Sequence, residues 1–129
     1  MSLKTVAILS PGDMGHAVGR VLGEHGIDVV TYLQGRSQRT KRLANQANIR
    51  DLTSLEELVI QSDLILSIVV PGEAIAVSQR VAQALRSTGT DTLFVDCNAT
   101  APKTAEDMNV IVTSSGGRFI DASIIGKPP

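Results

Sequence analysis

At 129 residues, 43% of them hydrophobic, the chain is long enough to form one domain with a real core. A formal net charge of −1 argues against a nucleic-acid partner held by bulk charge, and three aromatic residues (Tyr32, Phe94, Phe119) offer no base-stacking platform. The longest apolar run, 64–70, is far too short to span a bilayer, and the single cysteine, Cys97, excludes an internal disulfide or a multi-cysteine metal site. With no signal peptide in view, a cytoplasmic protein without membrane attachment is the expectation.

The first predicted strand is the short apolar run Val6-Ala7-Ile8-Leu9. A tight turn, Ser10-Pro11-Gly12-Asp13-Met14-Gly15, leads into a helix with Met14, Val18, Val21 and Leu22 on its apolar face. Gly26 reads as that helix's left-handed cap. Asp28 to Leu33 is β-rich and predicts a second strand. A basic stretch from Gly35 to Arg42 precedes a helix carrying Leu43 and Ala47, and 48–52 is a connector or short strand. Thr53-Ser54-Leu55-Glu56 has the form of a capping box and opens a third helix. Leu64 to Val69 is a buried strand broken by Pro71-Gly72. A helix follows from Ala74 to Leu85, then a strand at 92–96. A helix opening around Thr100-Ala101-Pro102 has Thr100 as candidate N-cap. The final strand is 118–122.

Strands alternate with helices, and the strands are near-continuous apolar runs, as expected when both faces are covered. The predicted fold is α/β: a doubly wound, mainly parallel Rossmann sheet with helices on both faces. In such sheets ligands bind beyond the carboxyl ends of the strands, at the topological switch point.

Those ends carry the candidate site. After the first strand, Gly12 permits close approach of a pyrophosphate, Gly15 permits close packing of helix on strand, and the helix start supplies free N–H groups and a positive dipole end. Ser10 stands where the dinucleotide fingerprint has its first glycine. After the second strand come Gly35-Arg36-Ser37, with no acid between Asp28 and Asp51. An acid there would hold the ribose hydroxyls of NAD; an arginine beside a small hydroxyl residue suits the 2′-phosphate of NADP. A hydrogen bond to a charged group contributes about 1.5–3 kcal/mol, enough to set cofactor choice. The alternative is that the basic cluster is the solvated start of a helix. After the next central strand, Val69, Val70, Pro71 and Ala74 would flank the nicotinamide ribose, or form only a strand-ending turn. Asn98 follows the fifth strand at the cleft. Cys97 has no base in its sequence context and reads as packing. His16 and His25 read as surface or helix-packing residues, and they make no metal site with the scattered acids.

Taken in order, these segments resemble the β-hydroxyacid dehydrogenase superfamily, which includes 6-phosphogluconate dehydrogenase and 3-hydroxyisobutyrate dehydrogenase. The resemblance covers residues 1–129 as the family's N-terminal NAD(P)-binding domain. The opening signature G-x-G-x-M-G is met by Ser10-Pro11-Gly12-Asp13-Met14-Gly15 apart from its first glycine. The family's Asn-Arg-Thr/Ser looks like Gly35-Arg36-Ser37. Its V-D-M-S-T-x-x-P stretch looks like 95–102, and its substrate motif D-A-P-V-S-G-G looks like 121–127. The resemblance implies NADP ahead of NAD as cofactor and a small hydroxy-acid-like substrate touched by Asn98, Ser123, Ile125 and Gly126. Ile125 stands in place of the family's serine, so the usual carboxylate contact is altered. The family's catalytic lysine belongs to an all-helical C-terminal half. None of Lys4, Lys41, Lys103 and Lys127 occupies its position, so no catalytic residue is assigned here. The expectation is therefore a cofactor domain whose catalytic half, a dimerisation element in this family, lies past Pro129. Two further readings stay open: a nucleotide-sensing regulatory module and a non-catalytic NADP-binding protein.

Overall fold

The computed structural model describes residues 3–9 and 12–122. Its chain order is β1 (Thr5–Leu9), α1 (Asp13–Glu24), β2 (Asp28–Thr31), α2 (Gln38–Gln46), β3 (Arg50–Asp51) and α3 (Leu55–Gln61). There follow β4 (Leu64–Ser67), a 3₁₀ turn (Pro71–Glu73), α4 (Ala74–Thr88), β5 (Leu93–Asp96), α5 (Pro102–Thr113) and β6 (Arg118–Asp121). The strands form one six-stranded sheet in the order β3-β2-β1-β4-β5-β6, with every pairing parallel. This is the doubly wound arrangement expected. The chain winds outward from β1 to β2 and β3, then returns to place β4 on the other side of β1. The switch point lies between the carboxyl ends of β1 and β4.

The period-2 alternation of the central strands divides the core. Ala7 and Leu9 face one layer with Ile65, Val77, Val81, Leu85, Phe94 and Val112. Ile8 faces the other layer with Val29, Ala44, Ala47 and Ile49, against which Val18 and Leu22 pack. Helices α3, α4 and α5 therefore cover one face of the sheet, and α1 and α2 the other.

Several local expectations are corrected. In α1 the fully buried positions are Gly15, Ala17 and Gly19, while Met14, Val18, Val21 and Leu22 are half-buried. The cause is the closeness of helix to sheet. A Cβ on Gly19 would come within 2.6 Å of Ile49 Cδ1 and 3.2 Å of Ile8 Cδ1. Strand β2 ends at Thr31 rather than Leu33, because its neighbour β3 is only two residues long. The Leu33 amide donates instead to Asp51 Oδ1 at 3.0 Å. The cap of α3 is Ser54, one residue beyond Thr53, and its Oγ accepts from the Glu57 amide at 3.1 Å; the Glu57 carboxylate accepts from Thr53 Oγ1 and Gln61 Nε2 and does not close a capping box. Thr100 does not cap α5: Ala101 holds that place, Pro102 is the first helical residue, and Thr100 Oγ1 donates to Asp96 at 3.4 Å. Strand β6 is not covered on both faces. Among the described residues it has one strand neighbour, and Arg118, Ile120 and Asp121 are exposed.

Candidate functional site

Of the hollows at the carboxyl ends of the strands, two adjoin the end of β1. A cleft of about 540 Å³ lies between the start of α1 (Gly12 to Gly15) and the segment after β4 (Ile68 to Pro71). A cavity of about 500 Å³ lies further along, walled by Leu9, Tyr32, Gln34, Gly35, Leu55, Val77, Arg80 and Val81. Arg36 and Glu73 line both.

At the cleft, Gly12 is the N-cap of α1, and no side chain caps this helix among the described residues. A Cβ built on Gly12 would meet nothing within 4 Å, so its backbone faces open space. The first-turn N–H groups of a helix have no partner within it. Here they lie beside the cleft, where an anion would satisfy them and meet the positive end of the dipole. Asp13 sits in that first turn and lines the cleft, and its carboxylate pairs with Arg39 of α2, which offsets its charge there. The His16 ring, through Nδ1, donates to the Gly12 carbonyl at 2.8 Å and braces the turn from inside the helix. The uncapped helix start, the open space at Gly12 and the apolar-walled cavity beyond fit a dinucleotide lying from α1 toward β2.

The β2 end is built by a tight turn. Gly35 has φ +83°, a left-handed conformation costly for most side chains, and the Arg36 amide donates to Leu33 O at 2.9 Å to close the turn. This directs Arg36 into the cavity wall, where Nη1 lies 3.3 Å from Glu73 Oε2 and the side chain is 25% exposed. Ser37 is otherwise engaged. It is the N-cap of α2, and its Oγ accepts from the Thr40 amide at 3.1 Å. Thr40, not Ser37, lines the cleft. The basic cluster is indeed a helix start, since α2 begins at Gln38, and Arg39 is committed to Asp13.

The segment after β4 is held from the next strand. Asn98 Oδ1 accepts from the Val69 amide at 2.8 Å, while its Nδ2 donates to Asp96 Oδ1 at 2.6 Å and contacts Ser67 Oγ at 3.5 Å. Asn98 is buried, and its amide is occupied by these partners. It was expected to touch ligand; in this structure it shapes the loop that does line the cleft. Asp96 is fully buried, and desolvation holds its carboxyl above the usual aspartate range, against the lowering effect of the Asn98 hydrogen bonds. Burial beside Asp96 pushes the Cys97 thiol up to about 11, so it is protonated at neutral pH and unsuited to nucleophilic work. Ala74 was also expected at the cofactor, but its side chain is fully buried at the start of α4.

Of the remaining candidates, Gly12, Asp13, Met14, Gly15, Val69, Val70 and Pro71 come together around the cleft, and Gly35 and Arg36 at the cavity. Ser10, Pro11, Ser123, Ile125 and Gly126 lie outside the described residues. Sequence reasoning missed Tyr32, Leu55, Glu73, Val77 and Arg80. Val77, Arg80 and Val81 lie on one face of α4 at helical spacing, which is the signal that could have found them. No group of three or more His, Cys, Asp or Glu residues placed to hold a metal occurs among the described residues. No helix among them is long and apolar enough to cross a membrane.

Strand order and site together define a Rossmann-type, NAD(P)-binding domain. The chain belongs to the family described as the NAD binding domain of 6-phosphogluconate dehydrogenase, whose model matches residues 5–128. It is similar to an uncharacterized 28.5 kDa protein of Methanothermus fervidus, 27% identical over 101 residues, which are 78% of this chain and 38% of that one. A solved conserved protein of unknown function, reported as structurally similar to 3-hydroxyacid dehydrogenases, superposes with a TM-score of 0.83 at 28% identity, over 95% of this chain and 44% of that one. Mycobacterium tuberculosis 3-hydroxyisobutyrate dehydrogenase, solved with L-serine, shares the fold with a TM-score of 0.80 at 22% identity, over 98% of this chain and 42% of its own. The fold also recurs in the imine reductase of Myxococcus stipitatus, solved with NADP+ (TM-score 0.73, 19% identity, 96% of this chain and 42% of that one) and, as a variant, with NAD+ (0.76, 18%, 99% and 43%). The chain spans less than half the length of these proteins.

Proposed function

We propose that this chain is the cofactor-holding part of an oxidoreductase that uses NADP(H) in preference to NAD(H). Its reaction would be hydride exchange with a small hydroxy-acid-like substrate. The observation that carries the cofactor reading is the placing of Arg36. The left-handed turn at Gly35 carries its guanidinium to the cavity wall at the end of β2, where NAD-binding domains keep an acid. An arginine presents several N–H donors in a planar fork that suits a phosphate.

The start of α1 would hold the pyrophosphate through its backbone N–H groups. Tyr32, Leu55, Val77 and Val81 would enclose the adenosine end. Val69, Val70 and Pro71, fixed by Asn98, would flank the nicotinamide end. The bound cofactor supplies the hydride chemistry, and these residues orient it and keep water from it. The proton transfer that accompanies hydride exchange needs a titratable group at the substrate. We assign it to a helical half beyond this domain, which would also build a homodimer; Ser123, Ile125 and Gly126 would lie nearest the substrate, and Asn98 would act by holding the Val69 loop. A cytoplasmic location accords with this reading.

The test is a side-by-side titration with NADPH and NADH, repeated on Arg36→Ala. The expected result is NADPH binding at least about tenfold tighter, with the preference lost in the variant, the equivalent of one charge-assisted hydrogen bond. Equal affinities in the wild type, or a preference unchanged in Arg36→Ala, would remove the NADP assignment.

A further inference from the structure

Arg36 and Glu73 come from sequence positions 37 residues apart, one beyond β2 and one in the 3₁₀ turn beyond β4, and meet at 3.3 Å. Both line the cleft and the cavity, so the pair stands on the boundary between the two hollows. A ligand reaching from the start of α1 into the Tyr32 cavity passes directly over it. Glu73 is 47% exposed on its side chain, so its carboxylate is accessible from that path.

From this geometry we infer that Glu73 is a specificity-determining residue, the acid that the end of β2 lacks, delivered from the opposite lip of the site. The inference rests on the dinucleotide reading above. The two members of the pair recognise opposite chemistry. A guanidinium favours a phosphate ester, whereas a carboxylate accepts hydrogen bonds from a free ribose diol and repels a phosphate. A ligand with an unmodified 2′-hydroxyl can donate to Glu73 while the ion pair stays intact. A ligand with a 2′-phosphate must draw Arg36 from Glu73 and bring close to two negative charges beside the carboxylate. Glu73 therefore reduces the preference for NADP(H) that Arg36 creates, and leaves a site able to hold either cofactor.

The test is titration of the wild-type chain, Glu73→Gln and Arg36→Ala with NADPH and NADH, at low and high salt. Glu73→Gln keeps the side-chain shape and removes the charge. The expected result is a rise of about tenfold in the NADPH:NADH affinity ratio, with NADPH binding tighter and NADH no tighter. The gain should shrink at high salt, because the repulsion it relieves is screened at this exposed site. Arg36→Ala should move the ratio the other way. A ratio within about twofold of wild type in Glu73→Gln overturns the inference and leaves the dinucleotide reading in place. Equal weakening of both nucleotides also overturns it, by showing that Glu73 only supports the loop. Glu73→Ala, with its urea midpoint measured beside wild type, identifies a loss of folding in either case. A wild-type chain that binds neither nucleotide removes the dinucleotide reading and this inference with it.

Discussion

Asn98 Oδ1 accepts the amide hydrogen of Val69 at 2.8 Å, tying the end of β5 to the loop after β4 across 29 residues of sequence. The same side chain donates to Asp96 Oδ1 at 2.6 Å, so a single amide holds two strand ends at the switch point. Val70 beyond it is 63% exposed on the cleft. The loop is thus rigid at its base and open at its tip.

Asn98→Ala removes the acceptor of a part-buried backbone N–H and a donor to a buried carboxylate. The expected cost is about 1–3 kcal/mol of unfolding free energy, read from urea denaturation. Asn98→Asp should cost at least as much at neutral pH. It keeps the acceptor for Val69 but sets a second carboxylate against Asp96. A loss below about 0.5 kcal/mol in both variants would mean that the Val69 loop holds itself, with surface-like tolerance at a buried position.

Two of the three glycines in α1, Gly19 and Gly23, stand in contrasting surroundings. Gly23 is exposed, with nothing within 4 Å of a built Cβ, and Gly19 meets Ile49 Cδ1 at 2.6 Å. Gly23→Ala should stabilise by up to about 1 kcal/mol through helix propensity. Gly19→Ala makes the same propensity gain but overpacks the contact with Ile49 and Ile8, a strain of about 1–3 kcal/mol, so the net effect is destabilising. Ile49→Val removes the clashing Cδ1 and should rescue Gly19→Ala beyond additivity in a double-mutant cycle. Gly19→Ala as stable as Gly23→Ala would show that α1 can lift from the sheet without cost.

The fold was readable because its signals are local and repeated. Apolar runs of strand length at β1, β2, β4 and β5 alternate with helical periods, and Gly26 takes the left-handed conformation at a helix end that its position foretold. What escaped the sequence depends on distances it does not carry. Nothing in the spacing of Arg36 and Glu73 says that they meet at 3.3 Å. Asn98 was correctly placed at a strand end, yet its partners Val69 and Ser67 belong to another strand's exit, so its structural role was invisible. Strand β6 pairs with β5 alone among the described residues, and which strands neighbour one another is something no local pattern reports.

Two aspartates at opposite ends of the sheet give the acid limb of stability contributions of opposite sign. Asp63 Oδ2 accepts from the Lys4 and Thr5 amides at 2.9 and 3.0 Å, and these bonds hold its carboxyl below the ordinary value of 3.8. The folded state therefore binds this proton less readily than the unfolded chain. Its stabilisation is fully present above 3.8 and is lost as pH falls through the lower folded value. Asp96 is raised by desolvation, so the folded state binds its proton more readily. Its cost develops as pH rises from 3.8 through the folded value and is full above it. Asp63→Asn should remove part of the stability loss seen below pH 3.8 on acidification. Asp96→Asn retains an acceptor for Asn98 without a buried charge, and should abolish the decline of its component between 3.8 and the raised folded value. Unfolding free energies from urea melts at half-unit pH steps, on wild type and both variants, separate the two. Difference curves of the same sign would contradict the assigned environments.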